Sequence, residues 1–217
     1  MGPQASSHLH SLIVVGVGKG KAPDEFPMII HASIPTPDFI ATPEAAVGAV
    51  KMIQDVTSNL PMKTASVIGL ACNTAHLLLD DLTNIPRKSF VSMIDAVADD
   101  IESAGHKKVG LLASPFTIKS ELYHKALKAR GIAVLQPNTH DIDALSNIIH
   151  GVISNHVPLS MRRRLTDIAK RLESQGVDCI LLGCTELPLV GIISKLPTID
   201  SLSSLSKAML KRQAEVN

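Results

Sequence analysis

Two apolar runs in this chain end in matching ways. Residues 65–70 lead into Ala71-Cys72-Asn73-Thr74-Ala75-His76, and residues 179–182 lead into Gly183-Cys184-Thr185-Glu186, so each run stops at a thiol followed by polar, helix-starting residues. The match extends upstream, because Pro3 lies 69 residues before Cys72 (72 − 3) and Pro115 lies 69 residues before Cys184 (184 − 115). A chain built this way folds as two similar halves, each presenting one thiol at a strand-to-helix turn.

The repeat also shows where the halves differ. Pro115 follows the apolar run Val109-Gly110-Leu111-Leu112-Ala113, which reads as a buried parallel strand, whereas only Met1 and Gly2 precede Pro3. Deleting an inner strand would unpair two neighbours and expose their backbone groups. The expectation is therefore a chain that starts at an internal methionine rather than a fold that has dispensed with the strand.

Apolar runs at residues 28–31, 65–70, 109–113, 132–135 and 179–182 predict strands, and residues 43–58, 92–104, 120–130 and 160–174 predict helices between them. In the last helix Leu165, Ile168, Ala169 and Leu172 form the i, i+3, i+4, i+7 stripe, with Arg and Lys on the other faces. Strands that alternate with helices predict an α/β fold, a parallel sheet covered on both sides. The repeat divides the chain into residues 1–95 and 96–217, with the C-terminal helix able to return to the first part. Domains of roughly 100 residues are still large enough for a core. Such sheets bind ligands beyond the carboxyl ends of their strands, where both thiols and the proline-set loop Ile34-Pro35-Thr36-Pro37-Asp38 are expected.

Net charge is +1 and basic residues are scattered apart from Arg162-Arg163-Arg164, so nothing suits a nucleic-acid backbone. That triplet reads as the solvated face of a helix. Three cysteines are too few and oddly numbered for a disulfide framework, which points to a reducing cytoplasm. No apolar run approaches the roughly 20 residues that span a bilayer, so no membrane partner is expected. Five aromatic residues and no Trp leave little to stack a base or a flat cofactor.

Two thiols on either side of one carbon can move a proton off a stereocentre and return it from the opposite face, one acting as thiolate and the other as thiol. A helix amino terminus lowers a thiol's pKa, so the expectation is a thiolate poised near neutrality. Asn73-Thr74 and Thr185-Glu186 put amides, hydroxyls and helix N–H groups beside each sulfur, able to hold a carboxylate and spread enolate-like charge.

Ala-Cys-Asn-Thr-Ala-His at 71–76 and Leu-Gly-Cys-Thr-Glu-Leu-Pro at 182–188 resemble the aspartate/glutamate racemase family, and the likeness covers almost the whole chain. Met1-Gly2-Pro3-Gln4-Ala5 is similar to the end of that family's Gly-Gly-Met-Gly-Pro-x-Ala turn, and Leu111-Leu112-Ala113 with Thr117 and Tyr123 is similar to its second-half turn and helix. The resemblance implies an amino-acid racemase that needs no cofactor and no metal, a homodimer with two pseudo-symmetric domains and the site between them. It implies Cys72 and Cys184 as the two catalytic bases. It also implies Asn73, Thr74, Ala75, Thr117, Thr185, Asp38 and Glu186 as residues that hold a small amino-acid substrate.

The chain departs from that family's pattern at its cations. Where aspartate racemases carry Pro-Asp-Arg-Thr, with the arginine on a substrate carboxylate, this chain has Pro37-Asp38-Phe39-Ile40, and a phenyl ring does not replace a bidentate guanidinium. The family's lysine near residues 152–155 is also absent, leaving Lys119 as a nearby candidate. These departures keep two alternatives open: a sibling acting on another substrate, such as a hydantoin racemase or a decarboxylase, and a noncatalytic ligand-binding remnant.

Other residues have plainer readings beside the functional ones. Cys179, inside a run, reads as core. His76 is on the same helical face as Cys72, so a Cys/His metal site can be drawn, but a side chain packed under the site is the expected reading. Glu186 either hydrogen-bonds at the site or complements its helix dipole, and Asp38 either meets the substrate amine or makes a turn. His8 and His10 read as surface or satisfied residues, and Gly16-Val17-Gly18-Lys19-Gly20 as a turn, not a phosphate loop.

Overall fold

A computed structural model describes residues 2–18, 22–59 and 62–216; Met1 and the Lys19-Gly20 end of the glycine-rich turn lie outside them. The first half contains α1 (Pro3–Val17), α2 (Pro43–Ser58), β1 (Ile68–Gly69), β2 (Phe90–Val91) and α3 (Met93–Ser103). The second contains β3 (Lys108–Leu112), α4 (Pro115–Lys119), α5 (Leu122–Lys128), β4 (Ala133–Leu135), α6 (Thr139–Ile153), α7 (Leu159–Glu173), β5 (Cys179–Leu182), α8 (Leu187–Val190), β6 (Thr198–Asp200) and α9 (Ser201–Val216). Among the described residues no helix is long and apolar enough to cross a membrane.

Helix starts follow local chemistry. Thr42 Oγ1 accepts from the Ala45 N–H at 3.2 Å to begin α2, and Ser92 Oγ accepts from the Asp95 N–H at 3.2 Å to begin α3. Ser114 Oγ does the same for the Thr117 N–H and Asn138 Oδ1 for the Asp141 N–H. Each such cap satisfies a backbone donor that the helix leaves orphaned, worth typically ~1 kcal/mol. The helix expected over 120–130 is found as α5, beginning after Glu121, whose φ of 56° is left-handed and separates it from α4, which was not expected.

In the second half β4, β3, β5 and β6 form one parallel sheet in that order, with Val109 opposite Cys179 and Leu112 opposite Leu182. The sheet is apolar without alternation because both faces are covered. Val109, Leu111, Cys179 and Leu181 enter one core with α1, α3, α5 and α9, while Leu112, Ile180 and Leu182 enter another with α6 and α7. The predicted stripe Leu165, Ile168, Ala169 and Leu172 is buried in that second core. Each fully buried Leu or Ile there contributes about 1.5–3 kcal/mol.

The first half is built differently from expectation. Among the described residues β1 is bonded to β2 alone, with Ile68 opposite Phe90, and the expected strand at residues 28–31 joins no sheet; Met28 is 80% exposed. In the second half β3 bridges β4 and β5, and among the described residues of the first half no strand lies in the matching place. α9 leaves the four-stranded sheet and packs on α1, α3, β1 and β2.

The arginine triplet is only partly a solvated face. Arg162 and Arg163 are exposed, but Arg164 reaches Asp141 Oδ1 at 3.1 Å, and Arg171 clasps the same buried carboxylate through Nε at 2.8 Å and Nη2 at 2.7 Å. These contacts tie α6 to α7, and the Arg171 hydrogen bonds hold the Asp141 carboxyl below the usual carboxylate range.

Candidate active site

β1 and β5 each run directly into a thiol turn, so the sheets themselves aim both cysteines at the carboxyl-end edge. A Cβ at Gly183 would come within 2.7 Å of the Leu111 side chain and 3.1 Å of the Tyr123 ring, so any larger residue would force these buried side chains to shift. Its N–H donates to the Leu112 carbonyl at 2.8 Å, pinning the turn before Cys184 to β3. The helices after the thiols are short, a single 3₁₀ turn at Thr74–Leu78 and the four residues of α8.

The Cys184 thiol donates to Glu186 Oε2 at 3.1 Å, and the Thr185 hydroxyl donates to the same oxygen at 2.9 Å. Burial, then the Glu186 carboxylate, push the Cys184 thiol pKa well up, and a charge on Cys72 pushes it further. Cys72 is half-buried. Burial raises its pKa and Glu186 adds to that, while the Ala75 and Thr74 N–H groups, aimed at the sulfur, work in the opposite direction. The two thiols therefore feel one common carboxylate, and Cys184 feels Cys72. The expectation of a thiolate poised near neutrality is corrected: such short helices have weak dipoles, and desolvation of the charged form outweighs them.

Three further contacts join the halves around these turns. Thr74 Oγ1 lies 3.3 Å from Thr117 Oγ1, which lies 3.0 Å from Ser114 Oγ. The Tyr123 hydroxyl donates to Asn73 Oδ1, and Asn73 Nδ2 donates to Ser201 Oγ at 3.2 Å. Asn73 is thus held from α5 and α9 at once. Ser201 carried no signal in the sequence, because a serine opening a helix reads as an ordinary cap.

Other expected positions resolve individually. His76 Nε2 accepts from the Met93 N–H at 3.0 Å, so Nδ1 carries the proton and donates to the Cys72 carbonyl at 2.9 Å. Both ring nitrogens are used, and burial lowers the pKa of His76; it braces the turn and is not free to bind a metal. Cys179 is core, with its thiol pushed up to about 12 by burial. His10 packs on His31 with ring centroids 5.6 Å apart.

Asp38 is not brought to the thiols by any hydrogen bond among the described residues; it is exposed and its carbonyl closes a turn onto the Ala41 N–H at 3.0 Å. Phe39 instead packs with Ile34, Ile53 and Cys72 in an apolar cluster. Lys119 is exposed at the end of α4.

A parallel α/β scaffold with one thiol at each of two matched turns defines a class: racemase-type isomerases. Residues 1–208 match the Asp/Glu/Hydantoin racemase family. The chain belongs to that family. It is 30% identical over 216 residues to the broad-specificity amino-acid racemase RacX of Bacillus subtilis, covering 96% of this chain and 92% of the relative. It superposes on the aspartate racemase of Picrophilus torridus with a TM-score of 0.83 at 28% identity, covering 99% of this chain and 91% of that one. An aspartate racemase homologue from Pyrococcus horikoshii gives a TM-score of 0.79 at 28% identity, covering 98% and 95%.

Proposed function

We propose that the protein is a cofactor-independent amino-acid racemase in which Cys72 and Cys184 take and return the α-proton from opposite faces of one carbon. The observation that carries this reading is that the first thiol turn meets the second half, Thr74 Oγ1 lying 3.3 Å from Thr117 Oγ1 and Asn73 bonded to Tyr123 and Ser201, while in the matched turn Cys184 lies 3.1 Å from the Glu186 carboxylate. Cys184, hydrogen-bonded to Glu186, holds its proton and acts as the acid. Cys72 receives the Ala75 and Thr74 N–H groups, which favour its thiolate, and makes no hydrogen bond to Glu186 among those described, so it acts as the base.

The proton balance is simple. The Cys72 thiolate takes the Cα proton and becomes a thiol, the carbanion's charge spreads onto the substrate carboxylate, and the Cys184 thiol protonates the opposite face and becomes the thiolate. The other enantiomer runs through the same steps in reverse. Hydroxyls of Thr74, Thr117 and Thr185 with backbone N–H groups hold the carboxylate, and Glu186 suits the substrate ammonium.

Aspartate or a related amino acid is the substrate class, and the geometry favours a related one with an uncharged side chain. Phe39 lies with Cys72 in an apolar cluster, Asp38 is exposed, and Glu186 opposes a second substrate carboxylate. The broad specificity named for the Bacillus subtilis relative is consistent with this. The same reading takes the protein to be a homodimer, checked by light scattering, and, on its three free cysteines, to work in a reducing cytoplasm.

Chiral chromatography after incubation with separate L- and D-amino acids tests the reading. Racemisation of neutral amino acids faster than of aspartate and glutamate is expected. Turnover of acidic amino acids alone would overturn the substrate assignment, and no turnover by folded protein would overturn the function.

A further inference from the structure

Glu186 uses only one of its two oxygens within its own turn. Oε2 takes the Cys184 thiol at 3.1 Å and the Thr185 hydroxyl at 2.9 Å, while Oε1 takes no donor from the described residues. Oε1 faces the start of α1 instead, where a side chain at Gly2 would bring its Cβ within 2.6 Å of that oxygen. The residue is only 6% exposed, so a largely buried carboxylate keeps one oxygen unanswered.

A second orphaned acceptor lies beside the same spot. Gln4, in the first turn of α1, has a buried Oε1 with no partner among the described residues, and a Cβ on Gly2 would lie 3.8 Å from it. The other end of the amide sets its orientation. Nε2 lies 3.5 Å from the Val152 carbonyl oxygen and 3.5 Å from that of Ile153, at the end of α6, and turning the amide over would put an acceptor against two acceptors. Two unanswered oxygens, one from each half of the chain, therefore meet where Gly2 leaves out a side chain.

We propose that Gln4 is a substrate-binding residue whose Oε1, together with Oε1 of Glu186, holds the α-ammonium of the substrate in the space beside Gly2. The proposal rests on the racemase reading and deepens it by naming what the substrate carries, a free primary ammonium. Such a group brings three donors, enough for both oxygens, and a positive charge to offset the Glu186 carboxylate. A hydroxyl, an acylated nitrogen or a ring N–H of the hydantoin kind brings one donor and leaves one buried acceptor orphaned. The place also suits the chemistry. Oε1 is bonded to the same carbon as the oxygen that meets the Cys184 thiol, so a nitrogen held there brings the neighbouring Cα toward that thiol.

Calorimetric binding to the whole protein tests this without depending on turnover. The probes are alanine, leucine and aspartate, each beside its α-hydroxy acid: lactate, α-hydroxyisocaproate and malate. Wild type is expected to bind at least one amino acid about tenfold or more tightly than its hydroxy counterpart. Gln4→Met keeps the side chain's length and removes the acceptor. It is expected to weaken that amino acid about tenfold and to leave the hydroxy acid within about twofold. Equal loss for both ligands would make Gln4 a brace for the start of α1 and overturn the proposal, as would an unchanged amino-acid affinity. Wild type that binds none of the amino acids, or prefers none to its hydroxy acid, would overturn it too. The expected pattern without any racemisation would support the ammonium site and overturn the racemase reading, so the two failures are separable.

Discussion

The sulfur of Cys184 lies 3.1 Å from Oε2 of Glu186, two residues on, and the same carboxylate raises the pKa of Cys72. One negative charge thus biases two thiols from opposite halves of the chain toward the protonated form. Replacing Glu186 by glutamine removes that bias and lowers both thiol pKa values. Thiolate absorbance followed against pH in E186Q is expected to rise at lower pH than in the wild type; an unmoved titration would show that burial alone sets both values.

The pH dependence of activity follows from the same shifts. The base form of Cys72 is the reactive one, and its pKa lies above the ordinary value of 9.0. Below that value the thiolate fraction, and with it kcat/KM, should climb about tenfold per pH unit. A profile already flat at neutral pH would mean that Cys72 is ionised there and that the N–H groups of Ala75 and Thr74 outweigh its burial.

Tyr123 reaches across from α5 to hold Asn73, and burial keeps its hydroxyl protonated by raising its pKa. Tyr123→Phe leaves Asn73 with Ser201 as partner and an acceptor unanswered. The expected cost is about 1–2 kcal/mol of stability by denaturant unfolding, with kcat falling more than KM changes. An unchanged kcat would place Asn73 outside the machinery that positions the first thiol turn.

Asp141 illustrates a stability term unrelated to the site. Its side chain is 5% exposed while that of Arg171 is 41% exposed, so solvent screens part of the pair and Asp141→Ala should cost about 2 kcal/mol. Because the folded-state pKa is depressed below the ordinary 3.8, this stabilisation is complete above that value and is lost as pH falls through the lower folded one. Urea midpoints of wild type and variant should therefore converge in acid; a constant difference would contradict the assignment.

Phe39 offers a gain-of-function check on substrate choice. Phe39 and Cys72 pack against the same apolar cluster, so Phe39→Arg brings a guanidinium to the cluster that carries the first thiol turn. The kcat/KM ratio of aspartate to a neutral amino acid should rise about tenfold or more. A ratio that stays put would mean that this loop does not contact the substrate side chain.

Much of this arrangement was legible in the residues, and the exceptions have physical causes. α2 spans its predicted residues and β5 its predicted run, because apolar pattern and capping residues agree there with the tertiary packing. The thiol turns were legible because the repeat marks them twice. Residues 28–31 have strand composition, but strand pairing is a property of neighbours, and no described strand lies beside them. β2 and β6, two and three residues long, are too short to show a period, whereas α6 carries the i, i+3, i+4, i+7 stripe Leu145, Ile148, Ile149 and Val152, a helix signal that was present and passed over. The thiols' raised pKa values arise from burial and from Glu186, which only the folded chain sets beside both sulfurs.

The central claim is that a proton leaves Cα to one thiol and returns from the other. NMR of α-proton exchange in D₂O, with single enantiomers of a neutral amino acid and of aspartate, measures this directly for wild type, Cys72→Ala and Cys184→Ala. The account predicts deuterium incorporation with inversion for the wild type and a loss of racemisation of about 10²–10⁴-fold in each variant. Full racemisation by either single-cysteine variant would contradict it.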